Sequence, residues 1–266
     1  MSNTWSGRWT LITGASAGIG KAFAEELAAG GSNLILTARR MERLEELAEG
    51  LRKARGVQVE CVAADLEQPD GPATIFAFTQ AKGLSVDFLI NNAGFGAYGE
   101  FQKIEGARQA AMVQVNCAAV VHLTHLYLPG MLERRSGDIL ILASTASFQA
   151  VPYMSVYAAS KAFDLLFAEG LAQEVKGQGV RVCALCPGAT ESDFQQVAGA
   201  PTDRIGRNIE PARKVVLVGL KALAAGKHSV ISGLKNRLGA EIQRLVPRQV
   251  VTNGVEKLFR PKGPRE

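Results

Sequence analysis

The sequence predicts an α/β fold: a doubly wound parallel sheet of about seven strands with helices on both faces. Two observations lead there. Short apolar runs alternate with longer stretches of helical period, the order that stacked βαβ units produce. The runs are apolar almost throughout, as in Leu34–Thr37 and Val180–Cys186, which suits strands buried on both faces.

The elements follow in order. Trp9–Thr13 is a strand and Ile19–Ala29 a helix, closed by Gly30-Gly31. Leu34–Thr37 is the second strand, followed by the charged amphipathic helix Met41–Arg55. Val57–Ala63 is the third strand, with a helix near Ala73–Ala81, and Val86–Ile90 the fourth. A long helix is expected from about Gly106 to Leu132, then a fifth strand at Asp138–Ala143. The helix carrying Tyr157 runs to about Val175, and Val180–Cys186 is the sixth strand. Gly188–Asn208 has no clear period and holds Gly199, Pro201 and Gly206, so it reads as a long loop; such loops are more often lids than passive connectors. Pro211–Ala225 returns to helix with Pro in the first turn, and His228–Ser232 is a candidate seventh strand. No interior linker or repeat divides the chain. The expectation is one domain over residues 1–232, with the extension 233–266 packed on it.

Composition excludes several classes. The chain is 47% hydrophobic with a mean hydropathy of +0.06, which suits a large buried core. No apolar run approaches the ~20 residues of a bilayer span. The polar Met1–Arg8 does not resemble a signal peptide, so the expected compartment is the cytoplasm. Four cysteines do not make a disulfide framework in a chain of 266 residues. Cys183 and Cys186 lie on a strand at an odd offset, pointing to opposite faces, and read as buried hydrophobes. His122 and His125 have no third ligand nearby, so no metal is expected. Residues 233–266 hold eight Lys/Arg and three Glu, which is the whole net charge of +5. The basic pI therefore describes a tail, not a nucleic-acid-binding core.

Thr13-Gly14-Ala15-Ser16-Ala17-Gly18-Ile19-Gly20 lies between the first strand and the first helix. Glycine is needed where a chain turns tightly and where backbone must approach a pyrophosphate. The helix start offers unpaired N–H groups and partial positive charge. This makes the fold Rossmann-like and the turn a candidate dinucleotide site, although a glycine-rich turn without a ligand has the same pattern. After the second strand comes Thr37-Ala38-Arg39-Arg40, where an NAD site usually carries an acid. A guanidinium there suits a 2′-phosphate through paired charge-assisted bonds. NADP(H) is favoured over NAD(H), against the alternative that these arginines simply start a solvated helix.

Tyr157 and Lys161 share one helix face, one turn apart. A phenol of pKa near 10 needs a shift of about 3 units to work at neutrality. One adjacent cation supplies about 1–3. A proton donor beside a hydride carrier describes a carbonyl/alcohol oxidoreductase. Phe95, Tyr98, Phe148, Val151, Tyr153, Met154 and Phe194 are the expected walls of the substrate pocket. They are apolar or aromatic, so the expected substrate is a hydrophobic ketone, aldehyde or secondary alcohol.

With Asn91-Asn92-Ala93-Gly94, Asn116, Ser144 and Pro187-Gly188 added in order, the chain resembles the short-chain dehydrogenase/reductase family, single-domain branch, over about residues 8–232. T-G-x-x-x-G-x-G, N-N-A-G, a Ser thirteen residues before the Tyr, Y-x-x-x-K and P-G all appear in sequence. The resemblance implies that Gly14, Ser16, Gly18 and Ile19 border the cofactor phosphates and that Arg39 faces the 2′-phosphate. It implies that Asp65 meets the adenine, that Asn91 flanks the adenosine side, and that Gly94, Pro187 and Gly188 complete the cofactor site. Asn116, Ser144, Tyr157 and Lys161 match the family's catalytic tetrad. Lys161 would bind the nicotinamide ribose and Asn116 would hold a water that returns protons to it. Where the family often shows P-G-x-V-x-T, this chain ends the motif in Ser192, which keeps a hydroxyl for the nicotinamide amide.

Family members pair through the helices that carry Asn116 and Tyr157, which implies at least a homodimer. The basic amphipathic stretch Leu234–Leu258 replaces the short apolar ending that helps relatives form tetramers, and is similar to a bacterial subgroup with a C-terminal extension. Its apolar face (Leu238, Ile242, Leu245 and Val246, beside Arg237) is expected to pack over the cleft or a partner subunit rather than to lie on an anionic membrane. A non-catalytic NADP(H) sensor or scaffold on the same fold is the alternative to an enzyme; the complete Ser/Tyr/Lys set argues against it.

Overall fold

The computed structural model describes residues 4–200 and 209–261. Pro201 and Gly206 of the expected loop, and Lys262, Arg265 and Glu266 of the tail, lie outside the described residues. Strands β1 (Trp9–Thr13), β2 (Asn33–Ala38), β3 (Val59–Ala63), β4 (Val86–Asn91), β5 (Gly137–Leu142), β6 (Val180–Cys186) and β7 (Ser229–Ile231) form one sheet. Its order is β3-β2-β1-β4-β5-β6-β7, and every pairing is parallel. The order reverses between β1 and β4, the place where open parallel sheets leave a crevice at their C-terminal ends.

Alternation along each strand sends neighbours to opposite faces. Leu11, Ile35, Leu89 and Ile139 belong to one core, whereas Ile12, Leu34, Ile90 and Leu140 belong to the other. The first core is covered by helices α3 (Gly71–Ala81), α4 (Gly106–Val113), α5 (Ala119–Glu133) and α6 (Ser155–Glu174). The second is covered by α1 (Gly18–Ala29), α2 (Met41–Arg55) and α8 (Ala212–Ala224). Cys183 sits in one core and Cys186 in the other, both as free thiols, as the odd offset requires. Near the start of β5 Asp138, fully buried, accepts Nε (2.7 Å) and Nη2 (2.8 Å) of Arg181 on β6 and Nε1 of Trp5 (2.8 Å).

Three elements differ from the sequence expectation. The long helix is not uniform: Gln114–Ala118 forms a π-turn between α4 and α5. The composite helix Gly106–Glu133 is also long and apolar enough, by length and composition, to cross a membrane, which a reading run by run did not register. It packs on the sheet through Met112, Leu123 and Met131. The expected loop after β6 contains a short helix, α7 (Phe194–Ala198), ended by Gly199 in the left-handed region at φ 66°. The extension is two helices, α9 (Leu234–Ile242) and α10 (Arg248–Phe259), because Pro247 cannot continue the first one. Val255 and Phe259 of α10 pack on Val151, Met154 and Phe194, whereas Leu234, Leu238, Ile242 and Leu245 lie exposed.

Candidate active site

A cavity of about 430 Å³ runs along the C-terminal ends of the central strands. One end is the turn between β1 and α1, bordered by Gly14, Ser16, Gly18 and Ile19. Gly18 starts α1 at φ 53°, a conformation that a side chain resists, and a Cβ there would meet Cβ of Ser192 at 2.8 Å. Ala17 caps the helix without a side-chain bond and no acid stands in the first turn, so the N–H groups face the cavity's anion end unpaired by side chains. Arg39 borders the same end, but its Nη1 bonds Oε1 of Glu67 at 2.8 Å. Asp65 also borders it, with Oδ1 accepting the Glu67 N–H at 3.0 Å. Glu67 borders the cavity beside Arg39, and sequence reasoning passed over it.

The asparagines divide their work differently from the expectation. Asn91 does not border the cavity; its Nδ2 bonds Thr124 Oγ1 at 3.1 Å in α5. Asn92 borders it instead, and its Nδ2 bonds the carbonyl of Thr13 at 2.7 Å, which fixes the glycine turn against β4. The reason is strand alternation: adjacent residues at the end of β4 point to opposite faces.

Asn116 is fully buried and does not border the cavity. The π-turn directs its amide at Phe95 and Ser160: Nδ2 donates to the Phe95 carbonyl (3.0 Å) and to Ser160 Oγ (2.9 Å), and Oδ1 accepts the Phe95 N–H (3.1 Å). Single π-turns of this kind recur at functional sites. Gly94 fits between this amide and Lys161: a Cβ there would stand 3.1 Å from Asn116 Oδ1 and 3.4 Å from Lys161 Nζ.

Ser144, Tyr157 and Lys161 converge on the cavity. Ser144 caps a 3-10 turn over Thr145–Phe148, with Oγ accepting the Ala146 N–H at 3.1 Å. Ser147 closes that turn by accepting the Ser144 N–H, and donates to the Lys161 carbonyl at 2.6 Å. The serine loop is thus tied to α6. Nζ of Lys161 donates to the Leu142 carbonyl (2.6 Å) and to Oδ2 of Asp164 (2.9 Å). Asp164 was missed, although an acid three residues after a lysine on a helix was visible in the sequence.

Burial pushes the Tyr157 phenol up from 10.0; Lys161 and the Ser144 hydrogen bond pull it down, Asp164 pushes it up, and the net direction is upward. Burial disfavours the Lys161 ammonium, but the charge of Asp164, the nearby Tyr157 and the hydrogen bond to Asp164 together hold it above its ordinary value. Burial raises the Asp164 carboxyl against the pull of Lys161. Burial also lifts the neighbouring Cys117 thiol to about 11 and the Cys183 thiol to about 12, so both are neutral packing groups.

The other end of the cavity is apolar. Phe194 lies against Tyr157 with ring centroids 5.0 Å apart, and Phe95, Val151, Met154 and Phe259 complete the wall. Three expected wall residues stand elsewhere. Phe148 packs on the core beneath α6. Tyr153 adopts φ 65°, borders a separate small cavity with Ile104, and donates its hydroxyl to Glu256. Tyr98 also turns away and donates to the Phe259 carbonyl at 2.7 Å. Phe259 was missed because it is distant in sequence. Arg108 stacks over Phe95 at 4.0 Å without bordering the cavity. Pro187, Gly188 and Ser192 border the middle of the cavity, with Ser192 Oγ bonded to the Thr190 carbonyl at 3.2 Å. Among the described residues no cluster of three His, Cys, Asp or Glu could hold a metal.

Both the sequence and the fold have known counterparts. The model of the short chain dehydrogenase family matches residues 8–202. A 7beta-hydroxysteroid dehydrogenase from Collinsella aerofaciens is 35% identical over 184 residues, 69% of each chain. A 17-beta-hydroxysteroid dehydrogenase type 3 from Mus musculus is 31% identical over 242 residues, 89% of this chain and 78% of that protein. The structure of a short-chain dehydrogenase from Sphingobium yanoikuyae in complex with NADPH superposes with a TM-score of 0.82 at 28% identity, over 97% of this chain and 98% of that one.

Proposed function

The chain belongs to the short chain dehydrogenase family, and from that premise we propose that it is an NADP(H)-dependent oxidoreductase interconverting a bulky hydrophobic ketone and its secondary alcohol. The observation that carries the reading is the convergence of Ser144, Tyr157 and Lys161 between a glycine-lined channel and an apolar wall. The channel fits a dinucleotide on its own evidence: unpaired helix N–H groups, a left-handed Gly18 and a length that runs on to Arg39. A bound nicotinamide coenzyme would supply or accept the hydride.

The protein's own residues do the rest. Tyr157 gives a proton to the carbonyl oxygen in reduction and takes it from the alcohol in oxidation. Ser144, within hydrogen-bonding reach of the phenol, holds the same oxygen. Lys161 lowers the cost of the phenolate. Gly94 leaves room for the Lys161 ammonium beside it. Asn116 fixes the backbone at Phe95 and, through Ser160, the helix turn that carries Tyr157.

Two relatives are named for hydroxysteroids. The largely apolar wall here, which Gln149, Asp193 and Gln195 also border, supports a substrate of similar bulk. Arg39 supports NADP(H); its pairing with Glu67 favours NAD(H) as the second reading. The exposed Phe163 and Leu166 on α6 and Val121 on α5 support a homodimer through these helices. The cytoplasm is the compartment this reading assigns. The exposed stripe Leu234, Leu238, Ile242 and Leu245 beside Lys235, Arg237 and Arg244 suits an anionic bilayer as a second use of the extension. Sedimentation with vesicles of anionic and of neutral lipid, with and without residues 234–266, separates the two uses.

The function is tested with a panel of steroid and other bulky apolar ketones and NADPH, read by loss of reduced-cofactor absorbance. Turnover of several bulky ketones and little turnover of small keto acids is expected. NADPH binding without turnover of any carbonyl would favour the sensor alternative.

A further inference from the structure

The Lys161 ammonium lies in an enclosed site, its side chain 6% exposed, and the carboxylate of Asp164 beside it is 1% exposed. Oδ1 of Asp164 has no hydrogen-bond partner among the described residues, so Lys161 is this carboxylate's one charged partner there. The ionisable groups bearing on Lys161 come from three elements: Tyr157 and Asp164 on α6, Cys117 in the π-turn, and Cys186 at the end of β6. Burial keeps both thiols neutral. The site therefore holds one cation, one anion and one phenol.

We infer that Asp164 is a positioning residue whose charge fixes Lys161 and keeps the Tyr157 phenol protonated, setting the site for proton donation and hence for carbonyl reduction. This rests on the role proposed above for Tyr157. A lone buried cation would pull strongly on the phenol proton; a cation paired with an anion presents a dipole, whose pull falls faster with distance. Lys161 and Tyr157 titrate as a coupled pair. Removing a fixed negative charge lowers the proton affinity of that pair, whichever member releases the proton first. The pH limb must therefore move down when Asp164 is neutralised.

The chain has four tyrosines, so tyrosine labelled with carbon-13 at Cζ gives a spectrum simple enough to titrate by NMR. Tyr157→Phe identifies the Tyr157 signal. In Asp164→Asn its midpoint is expected to fall by about 1 unit or more, and in Asp164→Glu to stay near that of the wild type. Oxidation of a bulky secondary alcohol should gain its acid limb at lower pH in Asp164→Asn by the same interval. Should Asp164→Asn fail to fold, Asp164→Ser is read in the same way. An unmoved midpoint, or a Tyr157 signal that titrates in no variant before unfolding, overturns the inference. The NMR readout needs no turnover, so a wrong assignment of Tyr157 as the proton donor would show separately, as undiminished activity in Tyr157→Phe.

Discussion

The hydroxyl of Tyr153 donates to Oε1 of Glu256 at 2.9 Å, joining the turn before α6 to the C-terminal helix across 103 residues of sequence. Glu256 is held in turn by Arg260, at 2.7 and 3.1 Å. The Tyr153 backbone is in the left-handed region, which a large side chain occupies only when its surroundings over-determine it. The contact fastens α10, whose Phe259 forms part of the cavity wall.

Removing that wall should therefore change substrate binding more than chemistry. Phe259→Ala is expected to raise KM for a bulky ketone about tenfold, the cost of losing part of a buried aromatic contact, with a smaller change in kcat. The Arg260 and Tyr153 hydrogen bonds hold the Glu256 carboxyl below its ordinary 4.5. A depressed carboxylate stabilises the fold above its unfolded pKa and loses that contribution as pH falls through the folded one. The latch should thus hold at neutral pH and loosen in acid below 4.5, and Glu256→Gln should weaken it at neutral pH and remove this pH dependence. Limited proteolysis of the C-terminal helix as a function of pH measures both.

Tyr157→Phe retains the ring packing against Phe194 but removes the proton. Reductase turnover is expected to fall by about 10²–10⁴, while NADPH affinity, read by fluorescence titration, stays close to that of the wild type.

Arg39 and Glu67 make opposite predictions about the cofactor. Arg39→Ala should weaken NADPH binding about tenfold or more and leave NADH nearly unchanged. Glu67→Gln frees the guanidinium from a largely exposed ion pair, and such pairs are worth about 0–1 kcal/mol. It should therefore strengthen NADPH binding by no more than about fivefold. Equal effects on both cofactors would count against the phosphate reading. Calorimetric titration of each cofactor decides it.

Asp138 lies far from the chemistry and should matter only for stability. Asp138→Ala strands Arg181 and Trp5 Nε1, three hydrogen bonds at once. A loss of about 3 kcal/mol is expected, or ~6–12 °C in Tm for a domain of this size. Thermal unfolding by circular dichroism measures it, and kcat at low temperature should be unaffected.

Much of the molecule was legible in the residue order. Parallel strands buried on both faces must be apolar along their length, so all seven could be read locally. Gly18 marked the cofactor turn because no other residue adopts its conformation freely. Tyr157 and Lys161 could be paired by helix geometry alone. Tyr98, Phe148 and Tyr153 were misplaced because an apolar or aromatic side chain near a site carries no sign of which way it faces. Asn91 was placed at the cavity, which Asn92 borders instead, for a related reason: the exact end of β4 sets which one points there.

Sequence alone determined the sheet, the glycine turn and the Tyr157–Lys161 pair, because each depends on short-range spacing and on backbone sterics, and the family resemblance added Ser144. Tertiary structure decided the π-turn that aims Asn116, the enclosure of Asp164 with Lys161, the Glu67 partner of Arg39 and the placing of Phe259 in the cavity wall. These depend on surfaces brought together from distant parts of the chain. Their energies come from burial and from charge in an enclosed medium, which local patterns do not encode.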